Sequence, residues 1–154
     1  MESLLPADED RDSVREEQEH SSIPDLRDSE LERLDNQTLL FLAIERGLPT
    51  WTKDLIEAQA SLDAQDDSGS TPLMLATIMG HTECVRLLIA HNANVEARNP
   101  QNFTSLIVAA SMNHIECAQE LISAGAQINT QAEDGCTALM AAAASGSDAC
   151  VQLL

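Results

Sequence analysis

DDSGSTPLMLATIMGHTECVRLLIAHNANVEARN, residues 66–99, contains two short segments whose apolar residues recur at helical spacing, each bounded by turn residues. Thr71 is placed to cap a first helix, its hydroxyl accepting from an amide one turn on. Pro72 then suits the first helical position, where a missing N–H costs nothing and its fixed φ is already helical. Leu73 and Ala76 fall on one face. Gly80 supplies the left-handed residue that ends the helix, and Thr82 follows as a candidate cap for the second. Val85, Leu88 and Ile89 make a buried stripe at i, i+3, i+4, and Asn92 closes that helix as a second left-handed residue, as Gly125 does one unit later. ANVEARNPQNF is a turn-rich passage onward.

Outward from this stretch the chain repeats itself with a period of 33 residues. Thr38, Thr71, Thr104 and Thr137 keep that spacing, as do Ala43, Ala76, Ala109 and Ala142. Leu55-Ile56 recurs as Leu88-Ile89 and Leu121-Ile122. The units run over 34–66, 67–99, 100–132 and an incomplete 133–154. Aromatic content is only 2% and alanine is abundant, which favours short helices stacked closely over a sandwich or barrel.

The unit resembles the ankyrin repeat, whose pattern runs D-x-x-G-x-T-P-L-H-x-A, then G-H, V-x-x-L-L and G-A-x-x-N. Asp66, Gly69, Thr71, Pro72, Leu73, Ala76, Gly80, His81, Val85, Leu88, Ala93 and Val95 stand in those positions. The resemblance covers residues 34–154 and implies an all-α solenoid of stacked helix-turn-helix repeats joined by hairpin-like turns. The family's histidine after T-P-L is replaced by Phe41, Met74, Ile107 and Met140, which substitutes packing for polar fastening. The first unit has Asn36 for the repeat glycine and a polar second helix with Trp51, Thr52 and Lys53, as expected of a terminal cap. The last unit stops at Leu154, leaving Val151, Leu153 and Leu154 exposed, so the sequence reads as a fragment.

Residues 1–28 read as a disordered acidic tail, and the array proper as 29–154, with Ser29 and Glu32 spaced as a capping box where order begins. Of a formal net charge of −18, residues 1–36 carry half, from 13 acidic and 4 basic side chains. So acidic a surface repels nucleic-acid phosphates and anionic lipid, and suits a protein partner with basic and apolar surface. The start of the chain lacks the basic and apolar regions of a signal peptide, and no stretch approaches the ~18 apolar residues of a membrane helix. An intracellular location is expected.

Cys84, Cys117 and Cys150 also lie 33 apart. Equivalent positions in stacked helices are ~8 to 10 Å apart, beyond the ~7 Å limit of a disulfide's Cα separation, so these are expected to be core residues. Cys136, before Thr137, is the candidate for an accessible thiol. HTEC and HIEC, at 81–84 and 114–117, place His and Cys on one helical face but without a second ligand pair, so no metal is expected. Asn36-Gln37-Thr38 and Asn102-Phe103-Thr104 match the glycan acceptor pattern, but in register both threonines are helix caps. No phosphate loop or nucleophile elbow is present, and neither catalysis nor a cofactor is expected.

The resemblance implies binding through turn tips and the exposed side of the first helices. By register those surface positions are Asp67, Ser68, Ser70, Ile78, Met79 and His91 in the second unit. They are Pro100, Gln101, Phe103, Ser111, Met112 and Ala124 in the third, and Glu133, Asp134, Cys136, Ala144 and Ser145 in the fourth. Met79, Phe103 and Met112 are expected to form one apolar strip bordered by Asp67, Glu133 and Asp134. The implied function is a non-catalytic protein-interaction module. The alternative is the regulatory or substrate-recruiting arm of an enzyme whose catalytic domain lies beyond Leu154.

Overall fold

The computed structural model describes residues 28–154, and among them every regular element is a helix. The short helix α1 (Asp28–Leu31) belongs to a segment ending at Arg33, and residues 34–154 form one compact unit. That unit holds α2 (Asn36–Glu45), α3 (Pro49–Glu57), α4 (Pro72–Ile78), α5 (Thr82–Ala90), α6 (Ser105–Ser111), α7 (Ile115–Ser123), α8 (Ala138–Ala144) and α9 (Asp148–Leu153). Consecutive helices pair across a short turn, giving α2/α3, α4/α5, α6/α7 and α8/α9. The first helices pack on one another in one layer, α2 on α4 on α6 on α8, and the second helices in another, α3 on α5 on α7 on α9.

Helices of six to ten residues are marginal alone, so each is held by its ends and its neighbours. Thr71, Thr104 and Thr137 stand in extended conformation and accept from the amides of Met74, Ile107 and Met140 at 3.3, 3.5 and 3.3 Å. At the far end of α4, Gly80 takes φ +70°, the Gly80 amide donates to Thr77 and the His81 amide to the Ala76 carbonyl at 2.9 Å. This paired closure satisfies carbonyls the helix leaves open. Asn92, with φ +66°, closes α5 as expected.

The core lies between the two layers. Ala43, Ala76, Ala109 and Ala142 are fully buried on the first helices, where a larger side chain would push the layers apart. Leu73, Val85, Leu88, Leu106 and Leu121 fill the space between, each side chain contributing about 1.5–3 kcal/mol by leaving water. Cys84, Cys117 and Cys150 belong to this core, and all four cysteines are free. Met74 and Ile107 are buried where the repeat's histidine would stand, so packing does replace polar fastening in the two middle units. In the fourth unit the matching Met140 is 58% exposed, and Leu139 is 45% exposed where Leu73 and Leu106 are buried. Val151 is exposed, whereas Leu153 and Leu154 are half-buried against the core rather than open.

Three capping assignments need correction. Thr38 is not a cap: the Asp35 carboxylate takes the Thr38 amide at 2.7 Å, so α2 starts at Asn36 and Thr38 lies inside its first turn. Hydrogen bonds from the Thr38 side chain and amide hold the Asp35 carboxyl below its usual pKa. A charged acceptor three residues ahead outcompetes a hydroxyl for a helix N-terminus. Thr82 is the first helical residue of α5 and His81 precedes it as the cap position, with no side-chain cap bond. Ser29 lies within α1, which begins at Asp28, rather than before it. The disorder expected for residues 1–28 falls, except for Asp28, outside the described residues.

Candidate protein-binding face

Between units the chain makes a tight excursion whose tip is held by one side chain. The Asp66 carboxylate accepts from the Ser68 amide at 2.9 Å, the Ser68 hydroxyl at 2.6 Å and the Ser70 amide at 2.9 Å. Burial alone would raise its pKa, but the Ser68 hydroxyl and the amides of Ser70, Ser68 and Gly69 outweigh this and hold it below the ordinary carboxylate range. Asn99 does the same without charge, accepting from Gln101 and Phe103 at 3.1 and 2.9 Å. The next unit has Ala132 at this position, and Asp134 instead takes the Cys136 amide at 2.9 Å. Neighbouring turns are tied together in register: Gln65 donates to the Arg98 carbonyl at 3.0 Å, and Arg98 to that of Gln131 at 3.3 Å. The tips are therefore pre-organised, which lowers the ordering cost of binding.

Asp67, Ser68, Gln101, Glu133 and Asp134 are exposed on these tips. Met79 and Met112 are the C-cap residues of α4 and α6, exposed to 42% and 51%. Ile78 is half-buried. Ser70 is not a surface residue: it is 5% exposed, because the Asp66 bridge folds it under the tip, where its hydroxyl lies 3.0 Å from that of Ser68. His91 is exposed but lies at the end of α5, bordering a separate cleft with Ile56, Glu57, Gln59, Ala60 and Leu62.

The structure does not place Phe103 in a strip with Met112. Phe103 precedes the Thr104 cap and Met112 follows the last residue of α6; at ~1.5 Å per residue the seven-residue helix between them spans about 10 Å. Phe103 is half-buried and turned to the fourth unit, lining a groove with Ile107, Val108, Ser111, Cys136, Ala141, Ala144 and Ser145. It also lines a shallower hollow with Gln101, Glu133 and Asp134. Ser111, Cys136, Ala144 and Ser145 are surface positions by register, whereas Val108 and Ala141 have no such mark in the repeat pattern. The signal for both was Ala141, and Ala144 beside it, standing in register with the bulkier Val108 and Ser111 of the third unit.

Charge is distributed unequally along the chain. All eight Lys and Arg lie at or before Arg98, so residues 99–154 carry five acidic side chains and no basic one. No helix among the described residues is long and apolar enough to cross a membrane. His81 and Cys84 of the HTEC motif turn to different neighbours, His81 Nε2 to the Glu45 carbonyl at 3.4 Å and the Cys84 thiol to the Thr52 hydroxyl at 3.7 Å. Burial pushes the Cys84 and Cys117 thiols above their usual pKa, which keeps them protonated and inert.

Compared with known proteins, the chain matches the family model described as ankyrin repeats (3 copies) over residues 19–99, 40–132 and 100–154. No curated protein matches it.

Proposed function

The chain belongs to the ankyrin-repeat family, and from that premise we propose that it is a non-catalytic module binding a protein partner through its turn tips and the adjoining side of its first helices. The observation that carries this is the company Met79 and Met112 keep. Both are exposed at equivalent positions of adjacent units, at the C-terminal ends of α4 and α6, while the tips before the first helices present Asp67, Glu133 and Asp134. Apolar side chains repeated at the unit spacing, on helices that start from rigid acidic turns, suit a partner long enough to reach both, with apolar and basic residues. Ser68, Ile78, Gln101 and Phe103 complete the surface assigned to contact, with the buried Ser70 supporting it from beneath and His91 standing apart at the end of α5. An intracellular setting belongs to the same reading, since four free thiols suit a reducing compartment.

Affinity capture with the wild-type chain and with a Met79→Ser, Met112→Ser variant tests this. Exposed substitutions shift stability by about 0.5 kcal/mol or less each, so the variant keeps its circular dichroism and is expected to lose its principal partner. A folded variant that retains every partner overturns the assignment.

A further inference from the structure

The third and fourth units meet along α6 and α8 differently from the second and third along α4 and α6. At four register positions on the following unit, the earlier seam has Phe103, Val108, Ser111 and Met112, and the later one Cys136, Ala141, Ala144 and Ser145. Phe to Cys, Val to Ala and Met to Ser each remove side-chain volume, while the backbone keeps its register. The result is a groove of about 320 Å³ between α6 and α8. Phe103 then continues the apolar surface to the hollow where Glu133 and Asp134 stand exposed.

We propose that this groove seats one large apolar side chain of a partner's peptide segment, with lysine or arginine residues beside it meeting Glu133 and Asp134. The proposal rests on the protein-binding reading above and names the chemistry of the segment bound. The volume is at the low end of the ~300–1,000 Å³ of ligand sites, which fits an anchor side chain better than a whole cofactor. An anchor buried in such a groove carries most of the affinity, while rim charges steer and select. The sign of that selection follows from the five acidic and zero basic side chains of residues 99–154.

The test uses synthetic nine-residue peptides and fluorescence anisotropy. A peptide with one central leucine between lysines is expected to bind; replacing the leucine with alanine, or the lysines with glutamates, should weaken binding about tenfold or more. Cys136→Phe and, independently, Ser145→Met put into the groove the residues that the third unit carries at those positions, and each should weaken the leucine peptide comparably. Glu133→Gln with Asp134→Asn, which keeps the acceptor for the Cys136 amide, should weaken it severalfold and flatten its salt dependence. Bound peptide should also slow alkylation of Cys136, the one thiol of the four outside the core.

No binding by about 1 mM peptide, equal binding of the alanine peptide, or indifference to both groove-filling variants overturns the proposal. Partner capture lost with Met79→Ser, Met112→Ser but kept with Cys136→Phe and Ser145→Met removes the groove and leaves the binding reading standing. Capture indifferent to all four substitutions removes both.

Discussion

At the seam between the second and third units, the His114 imidazole lies over Gly80, and its Nε2 donates to the Ile78 carbonyl at 3.1 Å. A Cβ on Gly80 would come within 2.7 Å of that ring. One unit earlier His81 covers Gly47 in the same way, at 2.6 Å. At the seam between the third and fourth units the two positions are Asn113 and Ser147 instead. Asn113 keeps the left-handed turn with φ +59°, and the Ser147 hydroxyl donates to its Oδ1. Ser147 also caps α9 through the Cys150 amide at 3.3 Å. Glycine leaves room for a ring, whereas asparagine fills the room and needs only a short partner. The two seams thus close their backbone identically with pairs of side chains exchanged together, and the smaller set coincides with the seam that opens into a groove.

The largest expected effect lies beneath both seams. Leu106 is buried between layers, and Leu106→Ala should cost about 2–5 kcal/mol, read as a large fall in urea midpoint; a midpoint unmoved would mean that the units do not pack as described.

The exchange of pairs is tested by a double-mutant cycle. Gly80→Asn alone drives a side chain into the His114 ring and should cost about 1–3 kcal/mol. Adding His114→Ser recreates the later seam and should recover a good part of that loss, for a favourable coupling of about 1 kcal/mol or more. Strict additivity would show that Asn113 and Ser147 are unrelated.

Smaller differences appear at the start of α6. Thr104→Ala removes the hydroxyl that accepts the Ile107 amide and should cost about 0.5–2 kcal/mol. The neighbouring Ser105 has a buried hydroxyl without a hydrogen-bond partner, in the position that Pro72 holds one unit earlier. Ser105→Pro should stabilise by about 0.4–1 kcal/mol, since the first helical amide has no bond to lose and proline already has the required φ. A lowered melting temperature would contradict this.

What the sequence made legible follows from what repetition records. A period of 33 with threonine, alanine and leucine in fixed phase states which side chains face into the stack, and Thr71, Gly80, Leu88 and Cys117 stand where that phase puts them. Thr38 fails because a stronger local acceptor, Asp35, precedes it, and phase carries no information about competitors. Ser70 fails because an aspartate four residues earlier folds it inward. The groove was hidden for a different reason. It depends on the relative sizes of residues about 33 positions apart on two units, whereas the pattern of a single unit reports only that each position is small or apolar.

Hydrogen–deuterium exchange on the chain with and without its principal captured partner separates binding at the tips and first helices from binding on the second helices. Slowed exchange is expected at the tips, residues 66–70, 99–103 and 132–136, and along α4, α6 and α8, with α5 and α7 unchanged. Protection centred on α5 and α7, with the tips exchanging as in the free chain, would contradict it.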